Sequence, residues 1–182
     1  AMSLPAKTAQ EWEDRTGGLV IEGYGMTETS PVALGSPLSE SRRPGALGLP
    51  FPSTEIRIVD QDDPSREVGV GEVGELQIRG PQVFEGYWRR PEETAEQLSP
   101  DGWLRTGDIV AMDETGFVRL MDRSKEMIIS GGFKVYPSQV EDKIRAMPGV
   151  LDVAVVGVPA GDSGESVVAA IVLDAGAQID LA

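Results

Sequence analysis

The stretch from Gly23 to Pro31, Gly-Tyr-Gly-Met-Thr-Glu-Thr-Ser-Pro, sets an aromatic ring between two glycines and follows it with threonines around a carboxylate. A hydroxyl such as that of Thr27 can donate to an anionic oxygen. A lone carboxylate such as Glu28 suits magnesium, a hard cation usually held by one or two carboxylates, phosphates and waters. Tyr24 offers a stacking face, and Gly23 and Gly25 let the backbone come close to a flat ligand. Further along, Gly-Trp-Leu-Arg-Thr-Gly-Asp at Gly102 to Asp108 ends in a carboxylate, Asp108, that can accept from two vicinal hydroxyls at once. Arg123, within Asp122 to Gly132, adds planar donors that a lysine would not reproduce. Ser130-Gly131-Gly132-Phe133 permits close backbone approach. Each has a plain alternative: a solvated glutamate in a Gly-rich turn, a turn-forming aspartate, a surface arginine bonded to Asp122 or Glu126, and an ordinary hairpin turn.

The elements that must carry these residues fall into two kinds. Pro5 to Arg15 reads as a helix with Ser3 as N-cap, with Ala6, Ala9 and Trp12 on one face and Gly17-Gly18 as its end. Leu19 to Ile21 reads as a short buried strand. From Gly23 to Pro50 no period is sustained, and so long an irregular stretch in a compact region is disordered or functional. Between Glu55 and Leu120 short strands dominate: Ile56 and Ile58 alternate with Glu55 and Arg57, Leu76 and Ile78 with Gln77 and Arg79, and Phe117 to Met121 follows a tight turn at Asp113 to Gly116. Such strands suggest a small barrel or curled sheet, interrupted by one short helix over Arg90 to Leu98 with Pro91 in its first turn. Beyond Asp122 the order changes. A strand at Met127 to Ile129, a helix from Pro137 with Val140, Ile144 and Met147 at helical spacing, and strands at Val150 to Val158 and Ser166 to Leu173 describe a small layered α+β unit.

Composition narrows the chemistry. The 182 residues contain neither cysteine nor histidine, so any reaction must run on carboxylates, hydroxyls, backbone groups, arginine and lysine. A formal charge of −14 argues against nucleic acid and against anionic membrane surfaces. It also opposes polyanionic ligands unless a cation neutralises them. No run approaches the roughly 20 apolar residues of a membrane span, and no signal-peptide pattern opens the chain. A soluble cytoplasmic protein is the expectation.

Taken in order, the three motifs resemble those of the AMP-forming acyl-CoA synthetases of the adenylate-forming (AMP-binding) superfamily. Within it, Tyr-Gly-Met-Thr-Glu-Thr-Ser-Pro, Asp-Arg-Ser-Lys-Glu-Met-Ile and Val-Tyr-Pro-Ser look most like long-chain fatty-acid CoA ligases. Asp122, where many members have glycine, is common in the fatty-acid ligases, whereas Lys134 stands where asparagine is frequent.

The resemblance implies an enzyme that joins a carboxylic acid to ATP as acyl-AMP, with magnesium, and then transfers the acyl group to CoA. It implies that Thr27 meets the α-phosphate, Glu28 the magnesium, Tyr24 the adenine, and Asp108 and Arg123 the ribose or phosphate. It places a hinge at Lys125 and a loop facing the CoA channel at Gly131 and Gly132. Residues 1–121 would then end the large domain with a distorted β-barrel subdomain, and residues 122–182 would be the hinge and part of a small lid. The family's phosphate-loop lysine and late lid lysine have no counterpart between Ala1 and Ala182. The expectation is therefore an internal or C-terminal fragment, about a third of a full-length member, inactive alone and prone to self-association through uncovered apolar surface. The alternatives are a ligase that stops at acyl-AMP or serves a carrier protein, and a non-catalytic binding module.

Overall fold

The computed structural model describes Leu4 and residues 6–123, 126–161 and 164–177. The chain divides into two compact units, Ala1–Leu120 and Met121–Ala182.

The first unit opens with helix α1 (Ala6–Thr16), which carries Arg15 in its last turn, where a cation favours the helix dipole. Gly17, at φ +68°, ends the helix and donates its amide to the Glu13 carbonyl at 2.8 Å. Ala9 is buried as its spacing predicts, but Trp12 is 49% exposed. Its ring lies over Gly18, where a Cβ would fall 2.8 Å away. Leu19 to Ile21 departs from expectation. No strand among the described residues pairs with it, and Leu19 and Ile21 are exposed. A run of three apolar residues shows what ought to be covered but does not supply the cover.

The stretch from Gly23 to Pro50 is neither disordered nor formless. It folds into a small antiparallel sheet of β1 (Gly23–Tyr24), β2 (Leu34–Gly35) and β3 (Leu49–Pro50). Beside it runs an antiparallel sheet in the order β4 (Glu55–Val59), β5 (Val73–Arg79), β6 (Leu104–Met112), β7 (Val118–Arg123). The predicted alternation holds: Ile58, Leu76, Ile78, Val110 and Val118 join Tyr24, Ala33 and Leu34 in one core. Burying each large apolar side chain contributes about 1.5–3 kcal/mol.

The expected barrel does not close. Closure requires the first and last strands to pair, and here both outer edges have other partners. The outer edge of β4 is bonded by the Val68 amide to the Ile58 carbonyl at 2.9 Å, and that of β7 by the Leu47 amide to the Val118 carbonyl at 2.8 Å. The sheet is therefore open, its edges sealed by loops against stray pairing. Helix α2 (Pro91–Gln97) begins with Pro91 at its first position, where a missing N–H costs nothing.

The second unit has a mixed α+β order. β8 (Ile128–Ser130) and β9 (Phe133–Val135) form a hairpin, helix α3 (Pro137–Arg145) follows, and β10 (Val150–Pro159) pairs antiparallel with β11 (Glu165–Leu173). Val140 and Ile144 pack on Ile128, Val153 and Val155. Met147 lies past the end of the helix and is exposed, so it does not extend that face. Strand β9 is not among the elements expected from sequence, where only its Phe133 falls within a motif, the Ser130 to Phe133 loop.

Candidate functional site

In the loop between β1 and β2, Thr27, Glu28 and Thr29 form a single 3₁₀ turn. The two threonines have opposite fates. Thr29 is fully buried, its hydroxyl bonded to the Met26 amide at 2.9 Å and close to the carbonyls of Met26 and Pro31. It staples the loop, whereas Thr27 is exposed at the head of the turn. Gly25 is required by the loop itself, because a Cβ there would sit 1.8 Å from the Pro31 carbonyl oxygen. Gly23 meets nothing closer than ordinary van der Waals contact.

Tyr24 is 3% exposed within the core, and it is its hydroxyl that reaches the site. That hydroxyl donates to Oδ2 of Asp108 at 2.5 Å, across 84 residues of sequence. Two motifs that the sequence could only place in order are thereby brought into direct contact.

Asp108 reaches Tyr24 because β6 bulges. Arg105 opposes Gln77 and Ile109 opposes Glu75, so three β6 residues, Thr106 to Asp108, face the single Leu76. Bulges bend a strand and re-aim its side chains. Here the carbonyl of Leu76 receives the Thr106 hydroxyl at 2.8 Å, and the Asp108 amide donates to the Thr106 Oγ1 at 3.1 Å. Gly107, at φ +70°, takes a conformation that other residues adopt only under strain. Its amide points to Oε1 of buried Glu75 at 3.3 Å, while Oε2 of Glu75 accepts from Arg105 at 2.9 Å. Glu75 therefore holds the bulge from its partner strand.

Glu28 is half-buried, and Tyr87 donates its hydroxyl to Oε1 at 2.7 Å. That bond, then burial, then the carboxylate's own charge push the Tyr87 phenol up to about 12. Sequence reasoning missed Tyr87 and Glu75. The aromatic run Phe84-Glu85-Gly86-Tyr87-Trp88 was the available signal for the first; nothing in the alternation of β5 marked the second. Among the described residues no group of three or more His, Cys, Asp or Glu could hold a metal ion. Glu28 offers a single hard oxygen donor, a kind that suits magnesium alongside phosphate oxygens and water.

The other expected site residues lie in the second unit. Arg123, exposed at the end of β7, donates its amide to Oδ1 of buried Asp122 at 2.7 Å. Asp122 also accepts the Ser138 amide at 3.1 Å and so caps α3. Lys125 lies outside the described residues. Gly131 and Gly132, at φ +57° and +83°, make the two-residue turn between β8 and β9. Positive φ at both positions is the reason for the Gly-Gly pair, since nothing lies within 4 Å of a Cβ at either. Phe133 beside them is 77% exposed. No helix of the described residues is long and apolar enough to cross a membrane.

Two family models match this chain: the AMP-binding enzyme over residues 1–88 and the AMP-binding enzyme C-terminal domain over residues 139–182. Among curated proteins, it is 49% identical over 166 residues to the long-chain-fatty-acid–CoA ligase of Escherichia coli O157:H7, covering 91% of this chain and 29% of that protein. It is 42% identical over 179 residues to the feruloyl-CoA synthase of an Amycolatopsis species, covering 97% of this chain and 35% of that one. Among solved structures, ATP-bound MatB from Rhodopseudomonas palustris superposes with a TM-score of 0.91 at 44% identity, over 99% of this chain and 35% of that one. The chain thus spans about a third of the length of the proteins it matches.

Proposed function

We propose, from the premise that this chain belongs to the AMP-binding enzyme family, that the protein is an ATP-dependent, AMP-forming acyl-CoA ligase acting on a long-chain fatty acid. The acid's carboxylate attacks the α-phosphorus of ATP, the bond to pyrophosphate breaks, and acyl-AMP remains. The CoA thiol then attacks the acyl carbonyl, loses its proton, and expels AMP. Both steps need positioning and charge stabilisation more than covalent help.

This chain's residues supply part of that positioning. Asp108, aimed by the β6 bulge and bonded by Tyr24, accepts from the ribose hydroxyls. The adenine lies beside the Gly23 to Gly25 backbone and not on the face of Tyr24, whose ring is 3% exposed in the core. Thr27, exposed at the head of its turn, donates to the α-phosphate oxygen that gains charge. Glu28 would hold magnesium, which offsets phosphate charge. For the second unit the same reading assigns Arg123 to the ribose or phosphate, the Gly131-Gly132 turn to the CoA thiol arm and Lys125 to a hinge.

The observation that carries this reading is the Tyr24–Asp108 hydrogen bond, which assembles residues of two separate motifs in one place. The 49% identity to a fatty-acid ligase supports the choice of acid. The test is AMP release by the full-length protein with Mg-ATP, a panel of carboxylic acids and CoA. CoA-dependent turnover on long-chain acids is expected. Glu28→Ala and Asp108→Ala should lower adenylation at least about a hundredfold, and Gly132→Trp should mainly impair thioester formation. Adenylation that ignores CoA would move the assignment to an acyl-AMP ligase or a carrier-protein enzyme. Nucleotide binding unaffected by Asp108→Ala would refute the site.

A further inference from the structure

The Glu28 carboxylate is gripped by a segment that belongs to none of the three motifs. The Phe84 amide donates to the Glu28 carbonyl at 2.9 Å, and the Tyr87 hydroxyl donates to Glu28 Oε1 at 2.7 Å. Residues 84 and 87 thus fix both the backbone and the side chain of one glutamate, 59 residues away from Tyr87 in sequence. The grip is itself braced. The rings of Phe84 and Tyr87 meet edge to face with centroids 4.8 Å apart, and the Tyr87 amide donates to the Thr94 hydroxyl of α2 at 2.9 Å. Gly86 between them, at φ +144°, would place a Cβ 2.7 Å from the Thr94 methyl, so the segment follows a path that only glycine permits.

This arrangement matters because a metal-binding carboxylate works only in the right orientation. A glutamate side chain has several rotamers to lose on being ordered, and a cation with near-octahedral demands tolerates little misplacement of its ligands. A carboxylate held at one oxygen by a phenol is already oriented, and the ordering cost is met before the ligand arrives. We propose that Tyr87 is a positioning residue for Glu28, holding its carboxylate in the orientation that receives the magnesium ion of Mg-ATP. This rests on the reading of Glu28 given above.

The test is calorimetric binding of ATP to the full-length protein over a range of magnesium concentrations, with wild type, Tyr87→Phe, Glu28→Gln and the double variant. Tyr87→Phe keeps the ring and its contact with Phe84 and removes only the hydroxyl. Its half-maximal magnesium concentration is expected to rise about three- to tenfold, the scale of one hydrogen bond to a charged group. ATP affinity at saturating magnesium and the thermal midpoint should stay near wild type. Glu28→Gln should raise the magnesium requirement at least as far, and Tyr87→Phe should add nothing further to it. A Tyr87→Phe protein with wild-type magnesium dependence beside a shifted Glu28→Gln overturns the proposal alone. So does an ATP affinity weakened equally at every magnesium concentration, or a double variant in which the two shifts multiply. Glu28→Gln with unchanged magnesium dependence overturns the reading of Glu28 and the proposal with it.

Discussion

Asp108 is buried and ionisable, and the hydroxyl of Tyr24 is one of the groups that holds it. Hydrogen bonds to a charged acceptor contribute about 1.5–3 kcal/mol each. Tyr24→Phe keeps the core ring and deletes this bond, so it should destabilise the full-length protein by about 1–3 kcal/mol. Urea unfolding followed by circular dichroism measures that loss. A change within about 0.5 kcal/mol would mean that Asp108 is held adequately by its other contacts. The residue scale also shows how one short motif divides its labour. Thr29 and Gly25 shape the loop, Thr27 is exposed on it and Glu28 is half-buried against Tyr87, and a list of conspicuous side chains does not separate these roles.

Among the elements, the outer edge of β4 depends on a turn held by charge. Asp60 accepts the amides of Asp62 at 2.8 Å and Asp63 at 3.1 Å and pairs with Arg66. The Arg66 guanidinium first, then those two amides, hold the Asp60 carboxyl down at about 2. A carboxyl whose folded pKa is depressed stabilises the fold above its unfolded value, near 4, and that contribution is lost as pH falls toward 2. Nuclear magnetic resonance titration should find Asp60 among the last carboxyls to protonate. Asp60→Asn should remove part of the acid sensitivity between about pH 4 and 2; an Asp60 that titrates near 4 would refute the clamp. Elements of this size were largely legible in the sequence, because α1, α3, β4, β5, β10 and β11 announce themselves by period and by Pro or Gly punctuation. What joins them was not. The openness of the sheet depends on which loop reaches each edge, the bulge at Asp108 on a register that no single strand contains, and the Tyr87–Glu28 pair on a long-range contact. Leu19 to Ile21 misled for the complementary reason, since hydrophobicity records a demand for burial and is silent on whether it is met.

Over the whole molecule, the second unit exposes a row of apolar side chains on β10 and β11. Val156 lies directly opposite Val168 and Asp152 opposite Val172, and all three valines are exposed. An uncovered apolar face of this kind favours association, while a net charge of −14 opposes it. Sedimentation of the 182-residue chain should therefore show a mass that rises with concentration, more steeply in high salt, where repulsion is screened. Val156→Lys with Val168→Lys should abolish the rise, and a monomer at every concentration and salt would show that the face is tolerated bare. The bulge in β6 has a different kind of consequence. It inserts an even number of residues, since β6 advances from 105 to 109 while β5 steps from 77 to 75. Side chains on a strand alternate faces with a period of two, so Leu104 before the insertion and Val110 after it still point the same way. Parity therefore lets the two inserted residues leave the alternation of the rest of β6 undisturbed. The aim of Asp108 is thus set without turning over the faces that build the sheet's core.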